Sequence, residues 1–404
     1  MIKICIIGLG YVGLPLCLKI SKKFKTIGFD ADTTRINNLA KKNDTNNEFK
    51  KNDFKNKKLH FTSQISEIKN CNFYIICVPT PITKEKIPNL IPVKKSFETI
   101  SKVLKKNDLV VLESTVYPGL TFKYAKYLEK KTTLINNKDF YLCYSPERIN
   151  PGDKKNNLTK INKIFAVNTK NKQIISLIKK VYKNLCKKLI ISNFIKETET
   201  AKVIENIQRD INIAIFNEIL TICEKLKINF SEVIRLAKTK WNFINFKPGL
   251  VGGHCLPVDP FYLSYIAKNA KIKTKTTLAG RETNDNMEKY VLNSFKNFIN
   301  KKNIKQNNCK VLLVGLSYKY GVADTRNSIN LKIYRKIKKM NKNTFFFDPF
   351  VTDSNLKSNI NLNNINSLDV VVFLSKGKIY DKLYKKIVSQ KKNIILDPFY
   401  YYNK

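Results

Sequence analysis

The chain is predicted to be an α/β protein in which two doubly wound units are joined by a long central helix. Three observations predict this. A glycine-rich turn stands between an apolar run and a helical stretch at the amino terminus. Strand-like apolar runs alternate with helical stretches in both halves of the chain. Between the halves lies a helical pattern of about thirty residues with neither Pro nor Gly.

The elements follow in order. Residues 2–7 (IKICII) read as a buried strand, GLGYVG as a turn, and the chain then reads as helix to about Phe24. TIGFD, ending at Asp30, is the second strand. NFYIICVPTP (72–81), DLVVLEST (108–115) and FYLCYSPE (140–147) are further apolar runs that end in turn residues. Such alternation implies a parallel sheet, whose ligands sit at the carboxyl ends of the strands. Thr80, Thr115 and Glu147 fall at those ends. The helical pattern runs from Glu197 to Leu226, with acidic residues in its first turn to suit the helix dipole. At about 45 Å it is longer than a helix covering a sheet needs to be, and it suits a spine between domains. Its apolar positions Ile204, Ile211, Ile215 and Ile219 are expected to face a second subunit. Residues 300–308 read as a polar linker. Strand-like runs return at 310–319, 344–350, 369–375 and 394–400, forming a smaller α/β unit. It has no glycine-rich loop after its first strand, so no dinucleotide is assigned to it. The expected domains are residues 1–195, 196–300 and 301–404.

Composition narrows the class. A length of 404 residues allows two or three domains, and 43% hydrophobic residues fit a folded protein. The formal charge of +44 would suit a nucleic-acid partner, but only 7 of the 75 basic residues are arginine. The lysines spread along the whole chain, in the manner of AT-rich codon bias, so no nucleic-acid partner is assigned. The nine cysteines include no CxxC pair, and no metal site or disulfide framework is expected. Cys5, Cys77 and Cys143 sit in apolar runs and read as core. No apolar run reaches membrane-spanning length, and glycines interrupt the first twenty residues where a signal peptide would be continuous. A cytoplasmic location is expected.

The candidate sites divide between cofactor and substrate. Gly8, Gly10 and Gly13 form G-x-G-x-x-G between a strand and a helix, whose amino end suits phosphates. Asp30, at the end of the next strand, can accept both ribose hydroxyls and would repel a 2′-phosphate, which favours NAD over NADP. The cofactor set is Gly8, Gly10, Tyr11, Val12, Gly13, Asp30, Arg35, Thr80 and Thr115. Lys202 and Asn206 are four apart on one helix face and together could stabilise an oxyanion; standing alone, such a pair reads rather as solvated surface. Glu147 reads either as a general base or as a loop salt bridge with Arg148. In FKPGLVGGHCLPVDPFYL, Cys255 follows Gly252, Gly253 and His254 and precedes Asp259 by four residues. A cysteine in such a turn can face a substrate, and a nicotinamide cofactor beside a nucleophilic thiol suggests oxidation of an alcohol through to the acid. Arginine is rare here, so Arg148, Arg209, Arg281 and Arg326 mark places where forked geometry matters. Lys319 accompanies Arg326.

Taken together, GLGYVGLP, VPTP, ESTVYPG, YSPERINPGD, AKVIENIQRDINIAIFNE, KPGLVGGHCLPVDPFYL and YKYGVADTRNS resemble, in order, the UDP-glucose/GDP-mannose dehydrogenase family. Three of these stretches are most similar to the branch acting on UDP-N-acetylglucosamine and UDP-N-acetylgalactosamine. The resemblance implies a Rossmann-like NAD-binding domain, a helical centre forming a homodimer or higher even oligomer, and a Rossmann-like UDP-sugar-binding domain. It implies that Cys255 is the nucleophile, Lys202 and Asn206 the oxyanion and water-positioning pair, Thr115 a neighbour of the reacting carbon, and Asp259 an acid beside the nucleophile. The implied substrate contacts are Glu147, Arg148, Lys202, Gly252, Lys319 and Arg326. The position of a second glutamate in the UDP-glucose enzymes is occupied here by Pro151, so Glu147 acts alone or with another group. The expected reaction is NAD-dependent oxidation of C6 to a uronate for surface polysaccharide, with UDP-glucose or UDP-N-acetylmannosamine as alternative substrates. A basic scaffold retaining the fold is a different class of reading, and it would not need Cys255, Lys202 and Asn206 together.

Overall fold

The computed structural model describes residues 2–46, 48–148, 158–351, 365, 367–390 and 394–402; Pro151 lies outside them. The chain divides into two compact units, residues 1–205 with 261–273, and residues 206–260 with 274–404.

The first unit is built on strands β1 (Lys3–Ile7), β2 (Lys25–Phe29), β3 (Leu59–Thr62), β4 (Phe73–Ile76), β5 (Leu109–Leu112), β6 (Tyr141–Tyr144), β7 (Asn162–Ala166) and β8 (Lys188–Ser192). Between them run α1 (Gly13–Ser21), α2 (Thr33–Ala40), α3 (Ile65–Ile68), α4 (Ile91–Ser101), α5 (Leu120–Thr132) and α6 (Lys172–Tyr182). The sheet order is β3-β2-β1-β4-β5-β6-β7-β8. Strands β1, β4, β5 and β6 are almost wholly apolar and buried, as strands covered on both faces must be. Each expected strand is present; β1 and β2 nearly match their apolar runs, while β4, β5 and β6 are shorter because the last residues of those runs lie beyond the sheet. The sheet departs from the all-parallel expectation at one pairing: β7 runs antiparallel to β6 through Tyr144 and Ala166, and β8 then runs parallel to β7.

The central helix α7 spans Ile195–Lys225, close to its expected bounds. Its Glu199 accepts bonds from the Thr121 N–H (2.9 Å) and hydroxyl (2.6 Å), and from the Gly119 N–H. This supplies the start of α5 with a carboxylate that its own N-cap glycine lacks.

The second unit continues α7 and adds α8 (Phe230–Ala237), the first residues of α9 (Asp259–Asn269) and α10 (Lys275–Lys301). Its sheet is wholly parallel, in the order β10 (Thr344–Phe347), β9 (Val311–Val314), β11 (Val370–Phe373), β12 (Ile395–Leu396), with α11 (Ile329–Met340) and α12 (Lys378–Ser389). Helices α7 and α10 meet through a buried polar cluster. Arg281 pairs with Asp210, Asn284 donates to Asp210 Oδ1 at 2.8 Å, and Asn217 donates to Asn284 at 2.7 Å. Among the described residues no helix is long and apolar enough to cross a membrane.

Candidate active site

The amino end of α1 is shaped for a dinucleotide. Gly8 has φ 91°, and a Cβ there would lie 2.9 Å from Val78 Cγ1. A Cβ on Gly13 would lie 1.8 Å from the Gly8 carbonyl oxygen, so helix and strand could not approach. Around Gly10 there is open space: no atom lies within 4 Å of a Cβ placed there. The helix starts after Val12 with no side-chain cap, and Tyr11 and Val12 are half-buried beside it. Its first N–H groups are therefore the kind that phosphates satisfy. Asp30 accepts the Leu9 N–H at 2.8 Å and the Asp32 N–H at 3.0 Å, one on each oxygen. Each oxygen keeps a further lone pair for a ribose hydroxyl. These residues fit NAD.

Arg35 holds this loop from behind. Its Nε and Nη2 donate to the Leu9 carbonyl at 3.1 and 3.0 Å, and Nη1 pairs with buried Asp44 at 2.9 Å. The sequence marks Arg35 but not Asp44, since a partner nine residues on carries no periodic signal.

At the carboxyl edge of the same sheet stand Thr80, Thr115, Glu147 and Arg148, all half-buried. The Thr80 carbonyl accepts from Tyr262 Oη at 3.0 Å. The salt bridge considered between Glu147 and Arg148 is not formed by their side chains. Arg148 instead pairs with Glu205 on α7 at 2.7 Å, and Glu147 lies 3.4 Å from the ammonium of Lys163. Lys202 is buried on α7, one turn before Asn206.

The second unit holds the cysteine. Eight of the nine cysteines are buried and Cys255 is exposed. Its carbonyl accepts from the N–H groups of Val258 and Asp259, both at 2.9 Å, which closes the turn into α9. Asp259 is buried, and Asn206 Nδ2 donates to its Oδ2 at 2.6 Å. One side of the proposed oxyanion pair is thus fixed to the acid that follows the nucleophile.

The glycines before Cys255 answer first to protein packing. A Cβ on Gly252 would lie 2.8 Å from the Asn327 carbonyl, and one on Gly253 (φ 93°) would lie 2.9 Å from the Tyr318 ring. The turn is therefore pressed against residues 318–327, the segment that carries Lys319 and Arg326. There Arg326 forks onto Asp324 at 2.9 and 2.8 Å, and His254 Nε2 lies 3.2 Å from the same carboxylate. Burial works against the Asp324 carboxylate, but His254 and Arg326 hold it well below the usual range. Of the other arginines, Arg281 is a buried structural partner of Asp210 and Arg209 is exposed on α7.

Fold and glycine turn define a dinucleotide-binding protein. Residues 2–186 match the NAD binding domain of the UDP-glucose/GDP-mannose dehydrogenase family, residues 196–286 its central domain and residues 312–404 its UDP binding domain. The chain belongs to this family and is an NAD-dependent nucleotide-sugar dehydrogenase. It is 44% identical over 353 residues to a UDP-N-acetyl-D-glucosamine 6-dehydrogenase of Salmonella typhi, covering 87% of this chain and 83% of that one. It is 41% identical over 354 residues to the Pseudomonas aeruginosa protein of the same name, with the same coverage. Its fold matches the solved UDP-D-ManNAc dehydrogenase of Pyrococcus horikoshii with a TM-score of 0.82 at 29% identity, covering 95% of this chain and 93% of that one.

Proposed function

We propose that the protein oxidises C6 of UDP-N-acetylglucosamine or UDP-N-acetylgalactosamine to the uronate, for surface polysaccharide, through a covalent bond to Cys255. The observation that carries this reading is the hydrogen bond from Asn206 to Asp259, on a turn closed by the Cys255 carbonyl. It ties one member of the oxyanion pair to the turn that carries the exposed Cys255. The relatives from Salmonella typhi and Pseudomonas aeruginosa carry the name of the matching activity.

Gly8, Gly10, Tyr11, Val12, Gly13 and Asp30, with Thr80 and Thr115, would hold NAD, which would supply the hydride acceptor. The C6 alcohol loses a hydride and a proton and becomes an aldehyde. Cys255 Sγ adds to that carbon, giving a thiohemiacetal whose oxygen Lys202 and Asn206 stabilise. Loss of a second hydride and proton leaves a thioester. Glu147 takes a proton from water as the water attacks, the C–S bond breaks, and uronate and the Cys255 thiol are released. Asp259 orients Asn206, and Arg148, Gly252, Lys319 and Arg326 are assigned to binding the nucleotide-sugar. Each uronate consumes two NAD and one water.

We assign the roles of cofactor domain, helical centre and sugar-nucleotide domain to residues 1–195, 196–300 and 301–404, and place the protein in the cytoplasm. We also read a homodimer or higher even oligomer formed along α7, because Ile204 and Ile215 are apolar and exposed on it. Light scattering at moderate salt checks this; a monomer at every concentration contradicts it.

The substrate reading is tested by following NADH over a panel of UDP-sugars. UDP-N-acetylglucosamine or UDP-N-acetylgalactosamine should have the highest kcat/KM. A higher value for UDP-N-acetylmannosamine or UDP-glucose would reassign the sugar and leave the chemistry standing.

A further inference from the structure

The antiparallel step in the first sheet brings a lysine to the sheet's carboxyl edge. Counting three residues outward from the Tyr144–Ala166 pair sets Glu147 opposite Lys163. Ser145 Oγ donates to the Ile164 carbonyl at 2.8 Å and so keeps that register beyond the end of β6. Lys163 is 2% exposed, in a chain whose lysines are otherwise mostly solvated. Its Nζ lies 2.9 Å from Glu113 Oε2 and 3.4 Å from Glu147 Oε2. The Tyr182 hydroxyl donates to the other oxygen of Glu113 at 2.7 Å, and the Tyr182 ring lies 5.8 Å from Nζ. Glu113 is fully enclosed at the end of β5, two residues before Thr115, whereas the Glu147 side chain reaches solvent, at 11% exposure.

An ammonium is not placed in a protein interior without cause, since stripping it of water costs several kcal/mol. Here one ammonium serves two carboxylates. Burial pushes the Glu113 carboxyl up, against the pull of Lys163, and Glu147 adds to the push. Burial draws the Lys163 ammonium down, but Glu113 and Glu147 outweigh it and raise it above the ordinary range. Lys163 therefore stays charged, and Tyr182 and Glu113 fix its head from behind.

From this arrangement we propose that Lys163 is a positioning residue for the hydrolytic half of the reaction, holding the Glu147 carboxylate in the orientation from which it takes the proton of the attacking water. This rests on Glu147 being the base, as read above. Lys163 itself touches neither sugar nor cofactor in this role. Glu113 and Tyr182 are its supports.

The test separates the two readings by trapping the thioester. Wild type, Lys163→Met, Lys163→Arg and Glu147→Gln are mixed with NAD and UDP-N-acetylglucosamine. NADH is followed before the steady state, and Cys255 acylation is read by intact mass. Lys163→Met should release a burst of about two NADH per site, accumulate the acyl adduct, and then turn over at least about tenfold more slowly than wild type, within the range a general base supplies. KM for NAD and sugar should stay within about twofold, and Lys163→Arg should restore most of the steady rate. A residue that only supported the fold would change KM and burst size together and leave no adduct. If Lys163→Met proves insoluble, the pair Glu113→Gln with Lys163→Met removes the fully enclosed charge at Glu113 as well and is read in the same way. A Glu147→Gln variant with neither burst nor adduct removes the base reading itself. Should Glu147→Gln trap the adduct while the Lys163 variants hydrolyse it at the wild-type rate, Glu147 remains the base and the role given to Lys163 is wrong.

Discussion

The two sheets begin alike and end up doing different work. In each, the first strand leads into a glycine at positive φ: Gly8 at 91° after β1, and Gly315 at 86° after β9. Each glycine N–H bonds back to the neighbouring strand, Gly8 to the Phe29 carbonyl at 2.9 Å and Gly315 to the Phe347 carbonyl at 3.0 Å. The next N–H in each case goes to an aspartate just past that strand, Leu9 to Asp30 and Leu316 to Asp348, both at 2.8 Å. The loops then diverge. Helix α1 opens at Gly13 without a side-chain cap. Helix α11 opens only at Ile329, where Ser328 accepts the Leu331 N–H and donates to the Leu316 carbonyl. Asp348 is also bonded by both the N–H and the hydroxyl of Ser317, at 2.9 Å each. A glycine turn and an acid are therefore not enough for a dinucleotide. The helix must start at the turn with no side chain capping it, and the acid must keep lone pairs for the ribose.

The harshest way to break this contrast is Gly13→Ala. The new methyl would fall on the Gly8 carbonyl oxygen, and moving that turn costs about 3 kcal/mol, or about a hundredfold in Kd for NAD. Gly10→Ala sharpens the point: with open space around it the fold should be unchanged, and titration should show NAD binding weakened about tenfold. Gly315→Ala, whose Cβ would meet Ser375 Cβ at 2.6 Å, should lower Tm without changing NAD affinity.

The two aspartates should separate as cleanly. Asp348→Ala leaves buried N–H groups unmet and should cost about 3 kcal/mol by denaturant titration, with no change in cofactor choice. Asp30→Ala should cost less stability, and it should narrow the NAD-over-NADP ratio of kcat/KM about tenfold or more. NADP turned over by the wild type as fast as NAD would remove the role given to Asp30.

The smallest effect is the response to pH, where Asp108 of the first unit and Asp324 of the second lean in opposite directions. In the first unit, burial pushes the Asp108 carboxyl up to about 6, against the Lys105 N–H and ammonium. A raised carboxyl binds its proton more tightly when folded. Its stabilising contribution is full below about pH 4 and is lost as pH rises to about 6. In the second unit Asp324 is held low, so its contribution is full above about pH 4 and is lost as pH falls below that. Thermal melts should show Asp108→Asn flattening the first trend and Asp324→Asn the second, the latter by about 1 kcal/mol, since Arg326 is largely in solvent.

Much of this was legible in the chain. The glycine spacing, Asp30 at a strand's end and the proline-free run that became α7 are local signals, and each lies where expected. The antiparallel strand β7 was not anticipated. Its run NKIFA is short and interrupted by Lys163, and strand direction leaves no mark on periodicity. The partners of Arg35, Arg148 and Lys163 were invisible for a related reason. They are Asp44, Glu205 and Glu113, and only folding brings them near. Composition also masked Lys163, because one more lysine in so basic a chain carries no information until its burial is known.

The central claim is that one dinucleotide turn and one exposed thiol together carry an alcohol to an acid. Counting NADH against uronate for wild type and Cys255→Ser tests it most directly. Wild type should give about two NADH per uronate, as two hydride transfers through a covalent intermediate require. Cys255→Ser should still bind NAD and the UDP-sugar, yield at most about one NADH per site, and form uronate about a thousandfold or more slowly. Uronate formed by Cys255→Ser at the wild-type rate would contradict the account.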